Sequence, residues 1–313
     1  MPLRSFSLKG SEIPSRLRFW GGHRGYAETE LKRAGEVLAR LLDAGWARGV
    51  LLKDADGRPV AHGLSVFVSE AFADRFLAAP HALPSKRLLL EEPHEILQSE
   101  YEIGRRNATI GLQMLVVDQG GDESALTPAA YDAIVGELVM QFAVIHRGYR
   151  LARIINELTV DRSIDDVGAS NVFARYETCA YTTTSGAPAR SLIAVIDREQ
   201  AVARRSLVMP MFAYVPPRVF FTSAERDLLT MALDGHVTDG DLASELGMSP
   251  SGVKARWRRI AQRIEDRLPE LLQSRAHNDG EGVRGAQVRH VILQFLREHP
   301  EELTHYDRAS APT

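Results

Sequence analysis

The chain of 313 residues has 38 Lys and Arg against 41 Asp and Glu, 44% hydrophobic side chains and one cysteine. This length predicts about two domains, and the composition is typical of a folded globular protein. A single cysteine excludes an intrachain disulfide framework and a cysteine-cluster zinc site. No apolar run approaches the ~20 residues that span a bilayer, and the polar first residues are not typical of a signal peptide. We therefore expect a cytoplasmic protein with no membrane partner.

The first part of the chain alternates helical and strand patterns. Apolar residues at helical spacing predict a helix over Glu28–Ala44. Gly49–Lys53 and Val60–Val68 flank a turn rich in Asp and Gly, which predicts a β-hairpin. Ser69 is a typical N-cap and predicts a short helix over Glu70–Leu77.

A strand, a long helix and a second strand follow. Ile110–Val117 predicts a strand that Gln119–Asp122 ends. Thr127 followed by proline predicts the start of a helix over 128–147, and Tyr149–Asn156 predicts the next strand. Strand, helix and strand within this length predict a βαβ unit with two parallel neighbouring strands. With a further strand candidate at 191–196, residues 1–215 are predicted to form one mixed α/β domain.

The hairpin, the strand at 110–117, the long helix and the strand at 149–156 resemble, in their order, an N-acetyltransferase domain of the GNAT family. The resemblance implies a GNAT-like or similar α+β sandwich. That family holds the acetyl-CoA pyrophosphate on the backbone amides of a Gln/Arg-x-x-Gly-x-Gly/Ala loop. Here the corresponding segment, Gln119–Ser124, places Asp122 and Glu123 at the pyrophosphate position. We therefore expect a domain that binds no cofactor and senses a small-molecule or protein effector or mediates assembly.

Tandem prolines in Tyr214–Arg218 predict a linker, after which strand patterns stop. Residues 216–272 are predicted to form an all-α domain. Residues 273–313 are predicted to form a second linker and a last helix over Gln287–Glu298. Its apolar stripe is too narrow for a domain core, so the helix must pack on another surface. Of two candidates, the α/β domain and a partner subunit, we favour the partner subunit.

The predicted all-α domain begins with two capping boxes. Thr222–Glu225 and Thr238–Asp241 predict the starts of two helices. Gly247 predicts a tight turn, and Ser249 predicts the cap of a third helix. Two short helices joined by a glycine turn predict a helix-turn-helix.

The third helix of this domain has two distinct faces. Its apolar stripe, at positions i, i+4, i+7 and i+11, consists of Val253, Trp257, Ile260 and Ile264. Its cations, with no acid between 254 and 263, are Lys254, Arg256, Arg258, Arg259 and Arg263. The net charge of −3 gives no overall attraction to nucleic acid. This local basic face, however, suits the major groove of DNA.

These residues resemble the LuxR-type helix-turn-helix of bacterial transcription regulators. The resemblance rests on Thr222, Glu225, Ala232, Gly235, Leu242-Ala243, Leu246–Ser249 and Val253-Lys254. It implies that Lys254, Ala255 and Arg258 face base edges and that Ser249 lies near a phosphate. The full predicted DNA-contacting set is Ser249, Ser251, Lys254, Ala255, Arg256, Arg258, Arg259 and Gln262.

The sequence thus predicts a DNA-binding transcriptional regulator that is not an enzyme. We expect it to act as a homodimer on double-stranded DNA, because two half-sites multiply specificity. Two alternatives stay open: an acyltransferase-like enzyme fused to a DNA-binding module, and a protein–protein adaptor. A region-four module of sigma factors has a similar helical pattern, but the predicted α/β domain contradicts the promoter-melting region of a sigma factor.

Other reactive side chains give weaker signals. Cys179 has the chemistry of a nucleophile or redox sensor, although a lone buried thiol is the commoner case. His62, His81 and His94 do not share a metal-ligand spacing, so no metal site is predicted.

Overall fold

The computed structural model describes residues 3–13, 25–121, 128–159, 164–165, 167, 172–233, 238–276 and 285–306. The chain divides into two compact units, Met1–Tyr214 and Val215–Thr313. Among the described residues, no helix is long and apolar enough to cross a bilayer.

The first unit is built on one seven-stranded sheet with the order β1-β2-β3-β4-β5-β7-β6. The strands are β1 (Arg4–Ser7), β2 (Ala47–Lys53), β3 (Pro59–Val68), β4 (Leu112–Gly121), β5 (Leu151–Leu158), β6 (Arg175–Thr182) and β7 (Pro188–Asp197). Neighbouring strands are antiparallel except β4 and β5, which are parallel. The mixed α/β class, the hairpin and the parallel βαβ pair are therefore confirmed.

Helices cover both faces of this sheet. They are α1 (Glu28–Asp43), α2 (Glu70–Ala78), α3 (Pro84–Leu90), α4 (Glu100–Ala108), α5 (Pro128–His146) and α6 (Arg198–Arg204). Leu38 of α1, Phe72 of α2 and Leu88 of α3 pack with Leu115 of β4 in one core. Ile134 and Phe142 of α5 belong to the core on the opposite face. The parallel pair thus lies between two apolar layers, with α5 as its crossover helix.

Strand β4 is longer than the sequence predicts. It continues through Gly121, because residues 118–121 pair with β3, whereas the Gln-Gly-Gly segment predicted a break. A Cβ at Gly121 would lie 2.3 Å from the carbonyl oxygen of Val60, so glycine permits this close approach. The predicted Asp122 and Thr127 positions lie outside the described residues.

The second unit contains helices and no strand within its described residues. The helices are α7 (Ser223–Leu233), α8 (Asp239–Glu245), α9 (Pro250–Arg267), α10 (Pro269–Ala276) and α11 (Gly285–Glu298). Thr238 Oγ1 accepts the N–H of Asp241 at 3.2 Å, and Ser249 Oγ accepts the N–H of Gly252 at 3.2 Å. Gly247 has φ +59°, the left-handed conformation that glycine adopts most easily. The predicted caps and turn between α8 and α9 are present.

The last helix packs inside its own unit. Ile292 is fully buried and Phe295 is 7% exposed, in one core with Trp257 of α9. Arg289 Nη1 lies 2.6 Å from Asp239 Oδ1 at the start of α8, and its guanidinium stacks over the Trp257 ring. The expectation that this helix packs on a partner subunit is therefore wrong. Its stripe looked too narrow because it completes a core that α7, α8 and α9 leave open.

Candidate active site

The parallel strands β4 and β5 separate in the middle of the sheet. Their pairing runs from Leu112 opposite Leu151 to Val116 opposite Asn156 and ends there. Beyond that point β4 stays paired with β3, and β5 stays paired with β7. Backbone groups of β4 and β5 that point toward each other beyond Val116 therefore have no partner in the ladder between these two strands.

A β-bulge in β4 lies at the point of separation. Leu64 of β3 pairs with Asp118 and Ser65 pairs with Val116, so Val117 is an extra residue. A bulge bends its strand and increases the local twist, which explains why β4 turns away from β5 here. Bulges are common next to active sites for this reason.

A cavity of about 170 Å³ occupies the space between the separated strands and α5. We call it the β4–β5 cleft. Its walls are mainly apolar and include Val116, Ile134, Leu138, Phe142, Ile154 and Met211. A concave apolar site with a few polar groups is the usual form of a small-molecule site.

Two buried polar side chains of the β4–β5 cleft have unused hydrogen-bonding atoms. Asn156 is 6% exposed and Thr159 is 8% exposed, and both line the cleft. Asn156 Oδ1 and Thr159 Oγ1 have no hydrogen-bond partner among the described residues. A buried polar atom left in this state costs roughly 1–3 kcal/mol, so a ligand that supplies a partner recovers that cost.

Glu157 lies between these two residues in the chain and also lines the β4–β5 cleft. It is 2% exposed, and its Oε2 accepts the backbone N–H of Ser85 at 3.3 Å. Ser85 lies in the first turn of α3, where the helix dipole stabilises a carboxylate. This hydrogen bond holds the carboxyl group of Glu157 in place at the edge of the cleft.

A pair of ionisable side chains lies beside the end of β4. His62 Nε2 and Asp118 Oδ2 are in direct contact, and the two residues are 3% and 1% exposed. A Cβ at Gly120, which lines the cleft, would lie 3.8 Å from the His62 ring. No local pattern links His62 with Asp118, because the bulge determines which residues of β3 and β4 meet.

His146 is an unreactive histidine of the core. Its Nδ1 donates to the carbonyl oxygen of Phe142 at 2.8 Å, so its Nε2 accepts the Ser65 hydroxyl at 2.8 Å. Burial, with a smaller contribution from the positive charge of Arg48, lowers the pKa of His146 to about 4. His146 is neutral at pH 7, and neither it nor Ser65 is exposed enough to reach a substrate.

The remaining reactive candidates from the sequence do not form a site. Burial raises the pKa of the Cys179 thiol, and Glu177 raises it further, which disfavours a nucleophilic thiolate. Within the described part of the chain, no three His, Cys, Asp or Glu side chains are placed to hold a metal ion.

The structure places most of the predicted DNA-contacting residues on the surface of α9 and its cap. Those exposed are Ser249, Ser251, Lys254, Arg258, Arg259 and Gln262, whereas Ala255 and Arg256 are half-buried. Arg263 is turned inward, and its Nε lies 2.9 Å from Glu225 Oε2, so it links α9 to α7. Val253, Trp257, Ile260 and Ile264 are buried, as the apolar stripe predicts.

No protein-family model and no curated protein matches the chain. Among solved structures, mutant forms of the spermidine/spermine N-acetyltransferase SpeG from Vibrio cholerae align with a TM-score of 0.38 and 7% identity, over 65% of this chain and 98% of that chain. The polyamine N-acetyltransferase of Drosophila melanogaster aligns with a TM-score of 0.35 and 14% identity, over 63% and 100%. A histone acetyltransferase and related acetyltransferase from Corynebacterium glutamicum aligns with a TM-score of 0.33 and 11% identity, over 62% and 96%.

These three solved structures are of acetyltransferases. The prediction of a transcriptional regulator of the LuxR family that is not an enzyme is therefore wrong. The comparisons agree better with the alternative prediction, an acyltransferase-like enzyme. With these TM-scores the alignments show a similarity and no more. The functional proposal therefore rests on the β4–β5 cleft itself.

Acetyl-CoA, the donor that the GNAT resemblance implies, fits the β4–β5 cleft only in part. Asn156 and Thr159 suit the amide-bearing thiol arm of such a donor, and the apolar walls suit its carbon chain. The residues described as lining the cleft include no Lys, Arg or His, and Glu157 is an acid. The described lining therefore offers no cation to the diphosphate of CoA.

Proposed function

We propose that the chain is an acyltransferase-like enzyme fused to a DNA-binding module. The observation that carries the first half is the β4–β5 cleft, where an apolar cavity opens beyond the last paired residues of the parallel strands and contains the unpartnered side-chain atoms Asn156 Oδ1 and Thr159 Oγ1. Such a cleft suits a linear acyl thioester, whose amides need hydrogen bonds and whose carbon chain needs apolar walls.

The residues of the cleft have separate roles in this proposal. Backbone N–H groups of β4 beyond Val116 stabilise the negative charge that develops on the thioester carbonyl oxygen. Asn156 and Thr159 hold the thiol arm, and the α5 wall around Leu138 excludes water. An acceptor nucleophile attacks the carbonyl carbon, the C–S bond breaks, and the thiolate leaves and takes up the proton that the acceptor loses.

Release of free thiol tests this proposal. The full chain is incubated with acetyl, butyryl and octanoyl thioesters of pantetheine and CoA and with a panel of primary amines, and the thiol is measured with a chromogenic disulfide. We expect enzyme-dependent release that is lost in Leu138→Trp, which fills the cleft. The matched control is Met140→Trp, because Met140 lies on the same helix and is 52% exposed. Absence of release with every donor, or equal release by both variants, contradicts the proposal.

The second half of the proposal concerns α8 and α9, the two helices joined by the Gly247 turn. Lys254, Arg258 and Arg259 are exposed on α9 and form no ion pair with other described residues. The opposite face of α9 is packed in the core, so the cations are presented on a rigid helix. This arrangement favours a helix-turn-helix that contacts double-stranded DNA in the major groove.

Retention on duplex DNA tests the second half. We expect the chain to bind random duplex at about 50 mM salt and to release it by roughly 200 mM, because phosphate contacts displace counterions. Binding to protein partners with no affinity for DNA would instead support the adaptor. A homodimer and a cytoplasmic location are part of this proposal and stay predictions.

A further inference from the structure

We propose that the β4–β5 cleft selects unbranched acyl groups of about four to six carbon atoms and that the Phe142 side chain sets this limit. Phe142 is then a residue that determines specificity, and the acyl group is longer than acetyl. This inference rests on the proposed acyltransferase function and names the acyl group that the site transfers.

The β4–β5 cleft follows α5 and ends at one of its residues. The α5 side chains that line the cleft recur every three or four positions from Tyr131 to Phe142, which corresponds to about 16 Å of helix. Tyr131 is half-buried, whereas Phe142 is 6% exposed. The helix continues to His146, but none of its residues after Phe142 lines the cleft. On the side of α5, the cleft therefore stops at Phe142.

A glycine in β3 determines where the Phe142 ring lies. A Cβ atom at Gly63 would be 2.2 Å from Phe142 Cε2, so the ring occupies the space that any larger side chain at this position would need. The ring also packs on the imidazole of His146, with 5.4 Å between the ring centroids. With β3 and His146 as neighbours, the ring is fixed, and a long ligand meets it as the end of the cleft.

The part of the cleft around Phe142 is apolar and larger than an acetyl group needs. Its walls are the buried or half-buried side chains of Val116, Ile134, Leu138, Ile154 and Met211. The cleft has a volume of about 170 Å³, and an apolar protein cavity of about 150 Å³ binds benzene. An acetyl group would leave much of these walls without contacts and would lose their dispersion energy. A longer acyl chain covers them.

The length of the acyl chain should therefore have an optimum. Each methylene group that moves from water into this apolar part strengthens binding about fourfold. A chain that is too long must displace the packed ring of Phe142, which is unfavourable. Affinity is expected to rise with chain length, to reach a maximum and then to fall.

Binding of unreactive S-alkyl pantetheine thioethers to the full chain tests the inference. The series has ethyl, butyl, hexyl, octyl and decyl chains, and calorimetry measures each dissociation constant. We expect the butyl compound to bind about tenfold tighter than the ethyl compound. We expect the tightest binding with butyl or hexyl and at least about tenfold weaker binding with decyl. Thiol release from the corresponding acyl thioesters should follow the same order.

Three variants connect the chain length to Phe142. Phe142→Leu shortens the side chain at the end of the cleft, so the optimum should move to chains about two carbons longer. Leu138→Phe narrows the cleft and should move the optimum to shorter chains. The matched control is Phe67→Leu, because Phe67 is 3% exposed in the same core and is not among the residues that line the cleft. This control should keep the optimum of the wild type. Loss of the fold cannot produce a preference for longer chains.

The outcomes separate this inference from the function on which it rests. Affinity that does not depend on chain length, a maximum at the ethyl compound, or an unchanged optimum in Phe142→Leu overturns the inference. In each of these cases, enzyme-dependent thiol release still supports the acyltransferase function. If no thioether binds and no thioester releases thiol, the proposed function falls together with the inference.

Discussion

Val116 of β4 and Asn156 of β5 are the last residues that the two parallel strands pair before they separate. The extra residue Val117 follows immediately on β4, and the unpartnered Asn156 Oδ1 lies on β5. The bulge, the opening of the sheet and the polar atom in the cavity thus occur at one position along the strands. We infer that the sheet is built to open here and to admit a ligand.

The unused hydroxyl of Thr159 gives a prediction about stability. Thr159→Val in the ligand-free chain should leave the free energy of unfolding unchanged or raise it by up to about 1 kcal/mol, because an apolar group replaces a buried hydroxyl without a partner. Ser206→Ala is the control, since the Ser206 hydroxyl donates to the Val172 carbonyl oxygen and its loss should cost about 1–2 kcal/mol. Urea unfolding measures the free energy of unfolding of both variants. A loss above about 1 kcal/mol in Thr159→Val would mean that the hydroxyl is already satisfied.

His146 predicts how stability depends on pH. Burial lowers its folded-state pKa to about 4, below the ordinary value of 6.5, so the unfolded chain takes up the proton first as pH falls. The contribution of neutral His146 to the free energy of unfolding is complete above pH 6.5. It is lost as the pH falls from 6.5 to 4, and the total loss is about 3 kcal/mol. Urea unfolding at pH 7 and pH 4.5 should show this loss in the wild type and in the control His94→Gln, whose side chain is exposed. His146→Leu should show a correspondingly smaller loss, and an unchanged pH dependence in that variant would contradict the assignment.

Local signals predicted the elements that have strong caps or two buried faces. Ser69 accepts the N–H of Phe72, and Thr238 and Ser249 cap α8 and α9 as their positions predict. The edge strands β1 and β6 were missed because most of their side chains are exposed and show no apolar run. An edge strand is specified by the neighbour with which it pairs, and that neighbour is distant in the sequence.

The terminal helix α11 gives a prediction for the second unit. Phe295→Ala should destabilise this unit by about 3–5 kcal/mol, because Phe295 is buried in the core that contains Trp257. Gln294→Ala should change stability by less than about 0.5 kcal/mol, because Gln294 is exposed on the same helix. Thermal unfolding distinguishes them, and a Phe295→Ala variant as stable as the wild type would show that α11 does not belong to this core.

Arg258 gives a prediction for the proposed DNA contact. Arg258→Ala should cost about 1–3 kcal/mol on a true site and little on random duplex if the side chain contacts base edges. Arg258 would instead contact a phosphate if the affinity fell equally on the true site and on random duplex. The slope of the logarithm of the binding constant against the logarithm of salt concentration would then be smaller in magnitude by about one. Arg297→Ala is the control, because Arg297 is exposed on α11. Retention of full affinity by Arg258→Ala would remove α9 as the contact surface.

The β4–β5 cleft could not be predicted from the sequence, although its strands and helix were. It depends on Val117 being skipped in the pairing of β3 with β4, a register shift that no local pattern encodes. The glycines of Gln119–Gly121 indicated a break, yet they extend β4 beside β3.

A crystal structure of the full chain with a non-hydrolysable thioether analogue of S-butyryl pantetheine tests the central claim most directly. The account predicts ligand density in the β4–β5 cleft, with ligand amides within about 2.7–3.2 Å of Asn156 Oδ1 and Thr159 Oγ1. It also predicts the acyl end beside Val116, where β4 and β5 separate. Ligand bound elsewhere on the chain, or bound in the cleft with both polar atoms left without a partner, would contradict it.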